Sequence, residues 1–461
     1  MRAKAIYVLE TCAARWGARL ALVTSDDLAD LAYGPDASAE GCARVSADVE
    51  FARLIGGLRD LAVPGALGDP DSRILRPDPA DPIATAFFHL ARVEEYVLPA
   101  VDAWWRFPAF GAAGFDGSAL LARPVDDCFE RLYALVASVR AARGEAALER
   151  RALYEDAAFA VALTHDVDSL RYWSPTQAVA LPYRVATRLV RGRVREAVAE
   201  PAGALRLLRR GRVGERDPYW ALEAICAVER EHGGASTFFL LGDHRFRLDG
   251  RDGRGYHRRL PEAIRRIAAQ GAEIGLHAAT PASLSTEELV RQKAYIEGLV
   301  GGAVPGIRFH NLLFRVPDGI DRIHQAGFLY DSTMGFAAVE GFRAGTAAPF
   351  PLFSLDLDRR LDVVEVPLAL MDTTFLSHRY KGLSADRVAV AIDQLLERVE
   401  SERGAVAVLW HNSGFDDQLT GGFGSLYRRM LAQVTERGGV LVPAGDVASR
   451  FAARLAAAAP V

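Results

Sequence analysis

From about residue 158 onward, short apolar runs alternate with amphipathic helical patterns, and this rhythm constrains the fold more than any other feature of the chain. A strand followed by a helix, repeated many times, builds a parallel sheet. The strand candidates are FAVALTHD, GGASTFFLL, GAEIGLH, PGIRFH, GFLYDST, LDVVEVPLALMD, GAVAVLWH and GGVLVPAG. Most are separated by helical segments such as DPYWALEAICAVEREHG, LPEAIRRIAAQG, STEELVRQKAYIEGLVGG and SADRVAVAIDQLLERVESERG. The punctuation agrees: Ser285 with Glu288 makes a capping box, and Gly233, Gly271, Gly301 and Gly404 stand where helices stop.

The runs end in ionisable side chains. Asp166 and Asp168 lie just past the first strand, His277 ends another, and Arg308 with His310, Asp331, Asp372 and His411 end four more. In a parallel barrel the carboxyl ends converge on one face, where barrel enzymes place their chemistry. An α/β barrel of seven or eight βα units over residues 151–461 is therefore the leading architecture, and a doubly wound open sheet is the alternative. Residues 1–150 read differently, with turn-rich GALGDPDSRILRPDPADP ahead of helical TAFFHLARVEEYVLPAVDAWW, and form a separate, smaller α/β domain. An insertion at about 172–216 carries Arg184, Arg188, Arg191, Arg193, Arg195, Arg206, Arg209 and Arg210. It reads either as a solvated helical segment or as a peripheral patch for an anionic glycan or lipid.

Composition narrows the partners. With 461 residues, half of them hydrophobic, and a formal net charge of -4, neither a nucleic-acid protein nor a disordered one is indicated. The four cysteines are far apart without CxxC spacing, which argues against disulfides and thiolate zinc and for a reduced compartment. Glu10, Arg15 and Arg19 interrupt the N-terminal segment before a signal-peptide core forms, and no run is long and apolar enough to span a membrane. A cytoplasmic location is the expectation.

Residues two apart on an extended strand share a side, so Asp166 and Asp168 can enter one pocket while Val167 packs behind them. A cation would neutralise part of that paired charge and leave one carboxylate free as a base. One aspartate of this pair, Asp166 or Asp168, with His277 and His310 is a plausible open site for zinc or a similar divalent metal. His411 has the pKa range of a general acid, and the planar fork of Arg308 suits holding a carboxylate base or binding substrate. Asp331 and Asp372 either cap turns or enter the pocket, where with Trp410 they would be substrate contacts. His165 alone reads as a packing or hydrogen-bonding residue.

Taken in order, THDVD, STFFLLGD, EIGLHAATPAS, GIRFHNLLFR, GFLYDSTMGF and VLWHN resemble the polysaccharide deacetylase superfamily, carbohydrate esterase family 4, over about residues 155–447. The resemblance implies a distorted (β/α) barrel, a divalent metal held by an Asp and two His, a second Asp as base and a late His as acid. Thr164–Asp168 stands at the usual TFDDG motif and Leu409–His411 at the leucine-x-histidine motif. Two departures follow from the same comparison: Val167 separates the two aspartates, so base and ligand can exchange, and Pro281 replaces the second histidine of HxxxH, leaving His310 as the candidate ligand. The N-terminal region is similar to the extra domain of a divergent bacterial branch. The implied function is metal-dependent removal of an acetyl group from an N-acetylated sugar of a surface polysaccharide or its precursor. The alternatives are hydrolysis of a small non-sugar amide and a catalytically silent glycan-binding or assembly protein.

Overall fold

The computed structural model describes residues 2–18, 31–34, 43–46, 77–97, 102, 106–108, 122–172, 175–190, 192, 194, 197–198, 201, 217–250 and 253–458. Two short strands, β1 (Leu31–Gly34) and β2 (Ala43–Ser46), pair in parallel in the N-terminal region. The main sheet holds β3 (Ala160–Val167), β4 (Thr237–Leu241), β5 (Glu273–Ala278), β6 (Gly306–Phe309), β7 (Tyr330–Asp331), β8 (Phe350–Ser354), β9 (Arg359–Glu365), β10 (Leu368–Met371), β11 (Ala405–Leu409) and β12 (Val440–Val442). Its order is β10-β11-β3-β4-β5-β6-β7-β9-β8, with β12 also pairing β3. All pairings in it are parallel except β8 with β9.

The sheet returns on itself through one run of chain. Val366 N–H donates to Asp331 O on the β7 side at 2.9 Å, and the next residue, Pro367, accepts from Ala407 N–H on the β11 side at 2.8 Å. Successive residues of an extended chain turn their polar groups to opposite edges, so LDVVEVPLALMD serves both neighbours and fills one wall position. Pro367 can stand there because only its carbonyl is needed. The result is a distorted barrel with seven wall positions, and not the doubly wound alternative. β8, unforeseen in the sequence because FPLFS sits in no βα repeat, adds antiparallel to the outside of this wall.

Strand periodicity sorts the side chains. Ala160, Ala162, Phe239, Ala405, Ala407 and Leu409 point into the barrel, whereas Val161, Leu163, Phe238, Leu240, Val406 and Val408 face the helical layer. The interior is crowded: a Cβ on Gly306 would come within 2.0 Å of the Tyr330 ring, so only glycine admits that ring. Helix Ala444–Ala458 closes the amino end, packing Ala444, Val447 and Phe451 against the small interior residues. The carboxyl ends are left for polar groups.

Around this frame, helix Thr286–Val300 begins on the Ser285 cap, whose Oγ accepts from Glu288 N–H, and ends at left-handed Gly301 with φ 75°. The N-terminal region packs on the outer strand, with Tyr7 and Phe87 ring centroids 4.9 and 5.1 Å from Phe353. In the arginine-rich insertion, Pro175–Val190 is helical and Arg184 lies over the Tyr172 ring at 5.6 Å. Arg191, Arg193, Arg195, Arg206, Arg209 and Arg210 lie outside the described residues. No helix among the described residues is long and apolar enough to cross a membrane.

Candidate active site

The inward residues of β3 continue from the small Ala160 and Ala162 to Thr164 and Asp166, and the same period carries Asp168 past the strand end. Across from them, β6 sends Arg308 inward, fully buried. Its guanidinium donates to Ser332 O at 2.7 Å, Ser332 Oγ at 2.8 Å, Thr164 Oγ1 at 2.7 Å and Asp166 Oδ1 at 3.0 Å, and stacks over Phe239 at 4.6 Å. Thr164 and Ser332 pass their own hydroxyl protons to Val408 O and Val366 O. A buried cation is tolerated where each of its nitrogens has a partner, and this polar layer meets that demand while fixing Asp166.

Above the layer, Asp168, His277 and His310 each present one ligand atom, and those atoms all lie within 4.8 Å of one another. His277 donates through Nδ1 to Arg308 O at 3.0 Å, which leaves the Nε2 lone pair pointing at Asp168 Oδ1, 3.2 Å away. His310 donates through Nδ1 to Asp249 Oδ1 at 2.9 Å, and its Nε2 lies 3.7 Å from Asp168 Oδ1. Both rings are thus held in the tautomer that a metal requires. Ligands about 2.1 Å from a tetrahedral ion stand roughly 3.4 Å apart, close to these separations. His277 Nε2 and Asp168 Oδ1 are buried and without hydrogen-bond partners, the state expected of atoms kept for a cation. The donor set of two imidazoles and a carboxylate fits a divalent ion such as zinc.

His411 follows β11 and points inward by the same parity as Leu409. Its Nδ1 donates to Asp372 Oδ1 at 2.6 Å, its backbone N–H donates to Asp372 Oδ2 at 3.0 Å, and Nε2 lies 3.7 Å from Asp168 Oδ2. Burial works against the imidazolium, but the Asp372 carboxylate, with Asp168 and Asp166 behind it, raises the pKa from 6.5 to about 10. Burial likewise opposes ionisation of Asp168, yet His310, His277 and His411, when they carry their protons, together hold its carboxyl well below the usual range.

Of the expected site residues, the structure brings Asp166, Asp168, His277, Arg308, His310, Asp372 and His411 together. The three expected substrate contacts all have partners or packing within the protein. Asp372 spends both oxygens on His411. Asp331 accepts from Thr333 Oγ1 at 2.6 Å and Thr333 N–H at 3.1 Å, capping the turn after β7, and burial raises both its pKa and that of neighbouring Glu365. Trp410 faces the helical layer, 1% exposed, with its ring centroid 5.2 Å from that of Tyr427. His165, also on the outer side, bonds Trp410 O and Glu229 Oε1, both at 2.7 Å. Sequence reasoning missed Asp249, which holds His310 and also accepts from Thr280 N–H and Oγ1. It lies in GDHRFRLDG, where nothing but its position after a strand distinguishes it.

No family model matches this chain, and no curated protein does. Among solved structures it is similar to a protein of Mycobacterium smegmatis described as a polysaccharide deacetylase, with 18% identity and a TM-score of 0.43 over 65% of this chain and 92% of that one. It is also similar to Puue allantoinase, with 12% identity and a TM-score of 0.43 over 65% and 91% of the two chains. A third likeness is to a protein of Pseudomonas aeruginosa PAO1 described as a polysaccharide deacetylase, at 14% identity and a TM-score of 0.42 over 64% and 91%.

Proposed function

We propose that this chain is a metal-dependent hydrolase of the carbon–nitrogen bond in an acetamido group, acting on an N-acetylated sugar of a surface polysaccharide or its precursor. The observation that carries the proposal is the pair of partnerless buried atoms, His277 Nε2 and Asp168 Oδ1, set beside His310 and facing His411. Asp168, His277 and His310 would hold the ion, which when bound supplies a polarised carbonyl and a water of lowered pKa.

The chain's own groups account for the proton movements. Asp166, fixed by Arg308 and 3.4 Å from His277 Nε2 through Oδ2, accepts the proton of the attacking water. His411, kept protonated by Asp372, donates from Nε2 to the departing nitrogen. Water attack, C–N cleavage and this proton delivery together give acetate and the free amine.

The test is acetate release by protein purified without chelator, over N-acetylated sugars and small amides, with metal content measured in parallel. Metal-dependent release from acetylated sugars supports the proposal. Release from small amides alone would move the substrate class, and a protein that takes no divalent ion and releases nothing would be a silent binding protein. A cytoplasmic location belongs to the same proposal, supported by the buried Cys12, Cys128 and Cys226, which form no disulfide. So does peripheral contact of the arginine-rich insertion with an anionic glycan or lipid, supported by its charge.

A further inference from the structure

Immediately after His310 the backbone enters the left-handed region at two successive residues, Asn311 with φ 57° and Leu312 with φ 53°. Asparagine tolerates that conformation; leucine does not, because its Cβ crowds the following carbonyl. Strain of this kind persists only where surrounding contacts enforce it, and it gathers at functional sites. Leu312 is held by burial, 3% exposed among the interior residues of the barrel. The carbonyl between the two strained residues, Asn311 O, is held from a distant part of the sequence.

That contact is Arg106 of the N-terminal region. Its Nη1 donates to Asn311 O at 3.1 Å, and Nη2 donates to Tyr380 Oη at 3.2 Å. Asp102 anchors the guanidinium from behind, accepting from Nε at 2.9 Å and Nη2 at 2.7 Å, and also from the Arg106 backbone N–H at 3.1 Å. Arg106 is 6% exposed, so its fork is largely shielded from water, which strengthens a fixed set of charged hydrogen bonds. On the other side of the same turn, Asn311 Nδ2 donates to Leu248 O, next to the Asp249 that orients His310. The turn is gripped from both sides.

We propose that Arg106, oriented by Asp102, is a positioning residue for the candidate active site: through Asn311 O it holds the strained turn that aims His310 at Asp168 and His277. The N-terminal region then completes the site from outside the barrel. The link to metal binding rests on the reading of His310 as a ligand; the link to the turn does not.

Two measurements on the full chain separate these. Amide hydrogen exchange in Arg106→Ala should quicken at Leu313 and Phe314, whose N–H groups close the turn on His310 O and Leu312 O, while β4 and β5 keep the parent's rates. Asp102→Asn should do the same to a lesser degree, and Arg106→Lys, which keeps the charge but not the fork, should fall between parent and Arg106→Ala. In parallel, Co2+ titration of Arg106→Ala should show roughly tenfold weaker binding and an altered visible spectrum, as loss of an outer-shell support does. Exchange at the turn unchanged from the parent overturns the proposal, as does quickening spread evenly over the barrel, which is a general loss of stability. If the parent itself takes no Co2+, the hydrolase reading falls while the exchange result still decides the role of Arg106.

Discussion

Asp372 Oδ1 lies 2.6 Å from His411 Nδ1 and its Oδ2 accepts the His411 backbone N–H, so one carboxylate fixes both the ring and the chain that carries it. The contact depends on a missing side chain. A Cβ on Gly414 would stand 2.3 Å from Asp372 Oδ2, so the glycine of WHNSG makes room for the carboxylate. A wall residue at the end of β10 thereby sets the protonation of a residue at the end of β11.

The pH behaviour follows from that pair. The folded pKa of His411 is raised above 6.5, to about 10, so the stabilisation it brings is fully present below about 6.5 and lost as pH rises toward about 10. In metal-free protein the stability gap between parent and His411→Ala should close over that window, as read by urea midpoints at a series of pH values. In turnover, Asp372→Asn should move the alkaline limb of the rate profile to lower pH, and His411→Ala should lose about 10²- to 10⁴-fold while keeping its metal. An alkaline limb unmoved in Asp372→Asn would break the link between the two residues.

Metal content distinguishes the two aspartates. Asp168→Ala, His277→Ala and His310→Ala should each lose the ion on gel filtration, because each removes one of three mutually close ligand atoms. Asp166→Asn should retain it and lose turnover, since Asp166 is held by Arg308 and is not one of the three mutually close ligand groups. Loss of metal in Asp166→Asn with retention in Asp168→Ala would mean that the two have exchanged roles.

Arg308 is expected to matter for folding before it matters for chemistry. Its replacement by Met leaves Asp166 and the Ser332 carbonyl buried without their donor, a change of about 3–5 kcal/mol when one partner of a buried pair is removed. Adding Asp166→Asn should recover part of that loss, because the stranded charge is gone. Chemical denaturation of the parent, the two single variants and the double variant measures the coupling, and simple additivity would show that Arg308 does not neutralise Asp166.

The sequence made much of this legible, for reasons that can be located. The run FAVALTHD carries its register with it: once Asp166 and Asp168 are placed on one side by the period of two, the bases of the site follow. The same rule applied to AVLWH puts Leu409 and His411 inside and Trp410 outside, although a substrate contact was expected of it. What stayed hidden was contact between segments distant in the chain. Asp249 reaches His310 from 61 positions away and Arg106 reaches Asn311 from 205, and no local pattern encodes either. Strand β8 was equally silent, because it pairs antiparallel outside the repeat whose rhythm identified the others.

Trp410 offers a test of that inside-out distinction. Its indole packs 5.2 Å from the Tyr427 ring and 6.0 Å from Phe423, and its Nε1 is buried without a partner. Trp410→Phe therefore removes volume but no hydrogen bond, and the vacated space beside Gly414 should cost about 1–3 kcal/mol. Because the side chain faces the helices, KM for any acetylated sugar should be unchanged, and kcat should fall only as far as the His411 backbone shifts. A large rise in KM with little loss of stability would instead return Trp410 to the pocket.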